Sequence, residues 1–163
     1  AYLVQELTLK KVLKNNGKAV LSGIMPLKIA SRGSNGEFLW ASLKSDGSLS
    51  RAVKSMAVLI SKMNEYKYNS HISGEFDNES KPWVEKFIGD NNKELYIFFK
   101  PFKYVSGKSI SLDNETLNYT LDLGKTPKSI ILTDIEGNSS TITADKSITL
   151  QAINSPKYLE VSY

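Results

Sequence analysis

From Tyr68 to the end, the chain breaks into eight short runs of β-type residues separated by turn residues. The runs are 71–76, 83–88, 95–99, 116–123, 129–134, 141–144, 147–152 and 157–163. Within the fourth, Leu117, Tyr119, Leu121 and Leu123 alternate with polar residues, which is the pattern of a strand with one face buried and one face wet. Glu136-Gly137-Asn138 marks a hairpin, and Asp90-Asn91-Asn92 and Asp113-Asn114-Glu115 read as further turns. Twelve of the 16 aromatic residues lie in this part of the chain, and bulky aromatics suit strands. Seven or eight short strands in under 100 residues predict an antiparallel β-sandwich.

The 67 residues before it follow a different period. Leu3, Val4, Leu7, Val12 and Leu13 are spaced as in a helix over residues 2–15, with Gly17 where a C-terminal cap would sit. Residues 19–27 are almost continuously apolar, as in a strand buried on both faces, and Pro26 ends them. Residues 29–37 are rich in Ser, Gly and Asn and read as a loop, and residues 38–43 form a short apolar, extended stretch. Asp46-Gly47 is a turn. Leu49, Ala52, Val53, Met56, Leu59, Ile60 and Met63 then recur at intervals of three and four, with Ser48 or Ser50 as N-cap. The fold class expected is α+β: a helix-strand-helix segment (1–67), then the sandwich (68–163). The charge supports this division. Residues 1–67 carry 11 Lys/Arg against 4 Asp/Glu, and residues 68–163 carry 10 against 13, so the stated +4 is the sum of +7 and −3.

Composition removes several function classes. No Cys is present, so disulfides, thiol nucleophiles and Cys-based metal sites are excluded, and one His rules out a multi-His metal centre. No metal or cofactor is expected. No apolar run approaches the roughly 20 residues of a membrane-spanning helix. Arginine occurs only at Arg32 and Arg51, with no basic cluster interleaved with aromatics, so nucleic acid is not an expected partner. Gly33-Ser34-Asn35-Gly36 lacks the third glycine of a dinucleotide fingerprint and the Gly-Lys-Ser/Thr ending of a P-loop. His71 is the only imidazole available to a serine triad, but no nucleophile elbow accompanies it. Asn-x-Ser/Thr sequons begin at Asn78, Asn114, Asn118 and Asn138. Glu37, in the long loop after the buried strand, is the most interesting single carboxylate, because such loops form the functional face of a parallel α/β layout.

Residues 18–64 resemble the end of a TIM-barrel glycoside hydrolase of the retaining, two-glutamate kind. There the last barrel strand is followed by a loop, a short apolar run, an Asp-Gly turn and the final helix. The matching pieces are residues 18–27, residues 38–43 with Trp40, Asp46-Gly47-Ser48-Leu49 and residues 52–64. The family often has Lys-Pro after the Asp-Gly, and this chain departs from it with Ser50-Arg51. A β-sandwich commonly follows the barrel, and Ser155-Pro156-Lys157-Tyr158-Leu159-Glu160-Val161 is similar to its closing strand.

The resemblance implies a non-catalytic C-terminal part of a carbohydrate-active enzyme. The two catalytic glutamates, after the fourth and seventh strands, would precede Ala1. The partners implied are carbohydrate and either the missing N-terminal barrel portion or a second copy, through residues 1–67. The location implied is secreted or at the cell surface. Arg32, Glu37 and Trp40 are the candidate substrate-binding residues, Trp40 because aromatic faces stack on sugar rings, although a Trp in an apolar run also suits a core. Two strand flanks and bare helix faces would need cover, at residues such as Leu3, Val20, Leu21, Ile24 and Val58. The alternative from another class is a carbohydrate-binding or adhesion module, with Trp83, Phe87, Tyr96, Phe102 and Tyr104 as candidates for its ligand platform, although most of these also suit a core. A third is a protein-interaction module, which a broad exposed apolar patch would mark.

Overall fold

A computed structural model describes residues 48–75, 78, 80–101 and 115–163, together with the strands Lys28–Ala30 and Ala41–Leu43. Those two strands, β1 and β2, pair in parallel, Lys28 opposite Ala41 and Ala30 opposite Leu43. The strand thus begins where the Ser/Gly/Asn composition reads as loop. The expected helix over 2–15 and buried strand over 19–27 lie outside the described residues.

Helix α1 spans Arg51–Met63. Ser50 caps it, its Oγ accepting from the Val53 amide at 3.4 Å. Eight antiparallel strands follow: β3 (Tyr66–Ser73), β4 (Trp83–Gly89), β5 (Lys93–Phe99), β6 (Leu117–Asp122), β7 (Ser129–Thr133), β8 (Ser139–Ile142), β9 (Ser147–Ala152) and β10 (Lys157–Ser162). Six of them form one sheet in the order β3-β4-β5-β10-β7-β8, and β6 pairs with β9 as a second sheet.

The sheets form a sandwich because alternate residues of the central strands face opposite layers. Tyr96 and Phe98 of β5, with Leu159 and Val161 of β10, pack against Leu121, Ile148 and Leu150 of the β6–β9 pair. Their neighbours Leu95, Ile97 and Tyr158 face the other way, onto Leu59 and Met63 of α1. Residues 95–99 are accordingly all buried, which explains an unbroken apolar run, Leu-Tyr-Ile-Phe-Phe, in an antiparallel strand. Burying Leu59 and Met63 contributes roughly 1.5–3 kcal/mol each.

Two ion pairs fix the helix across the sheet, Arg51 to Glu136 at its start and Lys62 to Glu160 at its end. The turns follow the sequence. Asn91 and Asn92 both have φ 57°, the doubly left-handed geometry of a tight hairpin. In the β7–β8 turn, Asp134 accepts from the amides of Glu136 and Asn138 and from the Asn138 side chain. Partial burial pushes its carboxyl up, but these hydrogen bonds outweigh it and hold the group below the usual aspartate value.

The helix carries more apolar surface than the sheet covers. Val58 packs on the sheet-facing core, so it is not among the surfaces needing cover. Ile60 is 61% exposed and Leu49 46% exposed, while Val53 and Met56 are half-buried. Val53, Met56 and Ile60 follow at intervals of three and four along one side of the helix, and Leu49 immediately precedes its Ser50 cap.

Candidate functional site

Strands β3 and β4 bring together a cluster that neither strand suggests alone. Trp83, Glu85 and Phe87 alternate onto one face of β4. Phe87 is fully buried against α1, and Glu85 beside it is 1% exposed. Glu85 pairs in register with His71 of β3. Its Oε1 accepts from Trp83 Nε1 at 2.6 Å and lies 3.1 Å from His71 Nδ1. The other ring nitrogen, Nε2, lies 2.8 Å from the Gly74 carbonyl. Among the described residues, Glu85 Oε2 has no hydrogen-bond partner. Burial pushes the Glu85 carboxyl up; the hydrogen bonds from Trp83 and His71 pull it the other way, and burial wins. Tyr68, whose ring meets Phe87 edge-on, is pushed up by its own burial first and by the Glu85 charge second. The Trp83 ring completes the cluster, 4.8 Å from His71 and stacked on Phe99 at 6.4 Å.

His71 also lines a cleft of about 430 Å³, with Ile72, Glu75, Ser80, Lys81 and, from β6, Asn118 and Tyr119. The described residues between β3 and β4, which line one side, are tied to one another. Glu75 accepts from Lys81 Nζ at 2.6 Å and from Asn78 Nδ2 at 3.2 Å, and Asn78 Oδ1 accepts from the Ser80 amide and hydroxyl. Gly74 has φ +113° and its Cα faces the Trp83 ring. Sequence spacing does not reveal this cleft, because the packing of one sheet on the other brings residues near 118 beside residues near 75. The signal that could have found the buried cluster is local: a lone carboxylate between Trp83 and Phe87 on the same strand face.

Of the residues expected to bind substrate, Arg32, Glu37 and Trp40 lie outside the described residues. The proposed aromatic platform divides. Phe87 and Tyr96 are buried, on opposite faces of the sheet. Trp83 is half-buried between His71 and Phe99, and Phe102 and Tyr104 lie outside the described residues. Among the described residues no group of three His, Asp or Glu side chains is placed to hold a metal, and no helix is long and apolar enough to cross a membrane.

No family model and no curated protein matches the sequence. Among solved structures, the chain is similar to one described as a family 39 glycoside hydrolase from the gut symbiont Bacteroides cellulosilyticus WH2, at 20% identity and a TM-score of 0.54. The match covers 76% of this chain but 22% of that one. The likeness is therefore one of fold: an α+β chain with a β-sandwich, shaped like a minor part of a larger glycoside hydrolase chain.

Proposed function

We propose that this chain is the C-terminal, non-catalytic part of a carbohydrate-active glycoside hydrolase, its sandwich stabilising a barrel or assisting polysaccharide binding. On this reading residues 1–67 end the barrel, residues 68–163 are the accessory domain, and the parent enzyme is secreted or at the cell surface. The observation that carries the proposal is the fold likeness, which takes in most of this chain and about a fifth of the glycoside hydrolase chain. Two further features support it. Glu75, Glu94, Glu136 and Glu160 are each engaged by Lys81, Lys86, Arg51 and Lys62, and Glu85 is buried. That arrangement suits a structural sandwich better than a pair of carboxylates held across a sugar. The exposed Ile60 beside half-buried Val53 and Met56, with exposed Leu49 just before the cap, suits a helix packed between the sheet and another layer, as does the parallel pair β1–β2, since parallel strands are normally covered on both faces.

Two measurements on the purified chain test the reading. Aryl glycosides and polysaccharides should not be turned over. Light scattering should show association, and Ile60→Glu should reduce it, because the missing barrel layer is replaced by a second copy. Turnover abolished by changing a carboxylate within residues 1–163, or a clean monomer insensitive to Ile60→Glu, would overturn the proposal.

A further inference from the structure

The cleft beside β3 has three properties that together select a ligand. First, among the described residues its charges are paired. Lys81 and Glu75 are bound to each other at 2.6 Å and His71 meets Glu85, so neither a phosphate nor a metal ion meets an unopposed charge from these residues. Second, donor and acceptor capacity remains after that pairing. An ammonium has three donors and a carboxylate about four acceptor sites. Lys81 is bonded to Glu75, and Glu75 to Lys81 and Asn78; the exposed Asn118 carboxamide and Ser80 hydroxyl face the same space. Third, half-buried Ile72 and Tyr119 supply apolar lining where the sandwich core reaches the cleft. Paired donors and acceptors beside an apolar lining fit a molecule with vicinal hydroxyls on its edge and C–H groups on its faces. The volume of about 430 Å³ lies within the range of about 300–1,000 Å³ typical of small-ligand sites.

We propose that the cleft formed by Ile72, Glu75, Ser80, Lys81, Asn118 and Tyr119 binds a neutral sugar residue of a polysaccharide or oligosaccharide. The hydrogen bonds among Glu75, Asn78, Ser80 and Lys81 hold these four residues to one another, which lowers the ordering required of them on binding. The ligand class rests on the carbohydrate-related reading above. The site itself does not depend on a barrel, because that reading is tested by association through α1 and this one by sugar titration.

The test is an amide-shift NMR titration of the whole chain with neutral gluco-, xylo-, manno- and galacto-oligosaccharides at millimolar concentration, and with a uronate oligosaccharide as the anionic comparison. At least one neutral sugar should give saturable shifts confined to residues 72–75, 80–81 and 118–119. Asn118→Ala and Lys81→Met, both at exposed positions, should each weaken that binding by about three- to tenfold, the fold-change one hydrogen bond supplies. Thr120→Ala, exposed on the same strand outside the cleft, should leave it unchanged. The proposal is overturned if no neutral sugar moves these amides, if the shifts fall elsewhere, if Thr120→Ala weakens binding equally, or if the uronate binds more tightly than every neutral sugar.

Discussion

Glu85 is the partner of His71 that can supply the proton their contact needs. A neutral imidazole has one N–H and one lone pair. The Gly74 carbonyl can only accept, so Nε2 donates to it, and Nδ1 then faces Glu85 Oε1 at 3.1 Å. The contact closes either as imidazolium with carboxylate or as neutral imidazole with a protonated Glu85. Both arrangements hold one proton more than a neutral ring beside an ionised acid.

That proton gives stability a defined pH dependence. Burial raises the Glu85 carboxyl above its ordinary value of 4.5, so the folded chain binds a proton there more tightly than the unfolded chain. The stabilisation is complete below the ordinary value and is lost as pH rises through the raised one. Glu85→Gln removes the titration; because one atom, Oε1, makes both contacts, the carboxamide can keep the bond from Trp83 or a donor to Nδ1 but not both. The difference in Tm between wild type and Glu85→Gln should therefore favour wild type at acid pH and shrink or reverse toward neutrality. Parallel Tm–pH curves would show that Glu85 does not titrate differently in the fold.

Much of the fold was legible in the sequence, and the exceptions have physical causes. Strand β9 occupies 147–152 as expected, and Ser50 caps α1 one helical turn before Lys54, whose amide bonds the Ser50 carbonyl at 3.1 Å. Strand β3 begins at Tyr66, five residues before its expected start. Its register shifts between Tyr68 and Ser70 and between His71 and Ser73, and each bulge breaks the period-two pattern by which a strand is recognised. Burial of two of the five platform aromatics, Phe87 and Tyr96, was hidden for another reason. Alternation assigns Phe87 and Tyr96 to faces, but composition cannot tell that both faces of β4 and β5 are covered. His71 was visible as the lone imidazole; its carboxylate partner, fourteen residues away, was fixed only by strand register.

The hydroxyl of Tyr158 is buried without a hydrogen-bond partner among the described residues, and its ring is packed under Leu59 and Met63. An unpaired buried hydroxyl costs about 1–3 kcal/mol in desolvation. Tyr158→Phe keeps the ring and removes that cost, so it should be neutral or stabilising by up to about 1 kcal/mol in chemical denaturation. A loss of more than about 1 kcal/mol would reveal a partner for the hydroxyl.

Ser50 is 6% exposed at the start of α1. Ser50→Ala removes the cap on the Val53 amide and should cost about 1 kcal/mol, whereas Ser50→Gly should recover most of it. Denaturant midpoints of the two variants separate capping from burial, because glycine is the smaller residue yet should be the more stable.

Gly74 is where the hairpin and the cleft wall meet, and two separate effects oppose any side chain there. Its φ of +113° is one that L-residues rarely adopt, and a Cβ would lie 2.9 Å from Trp83 Cε3 and 3.0 Å from Trp83 Cα. The backbone atom cannot retreat without disturbing β4, and the ring is held by His71 on one side and Phe99 on the other. Gly124 supplies the control: its φ is +77°, and nothing lies within 4 Å of where a Cβ would stand. Gly124→Ala should therefore cost only the conformational part, roughly 1–2 kcal/mol. Gly74→Ala should carry a conformational cost of roughly 1–3 kcal/mol with the steric clash added, and should be clearly the worse of the two. It should also displace the carbonyl that His71 Nε2 meets, shifting the ring resonances of the single histidine, which Gly124→Ala should leave in place. Equal losses of stability with an unmoved histidine spectrum would mean that Trp83 yields readily to a side chain at Gly74.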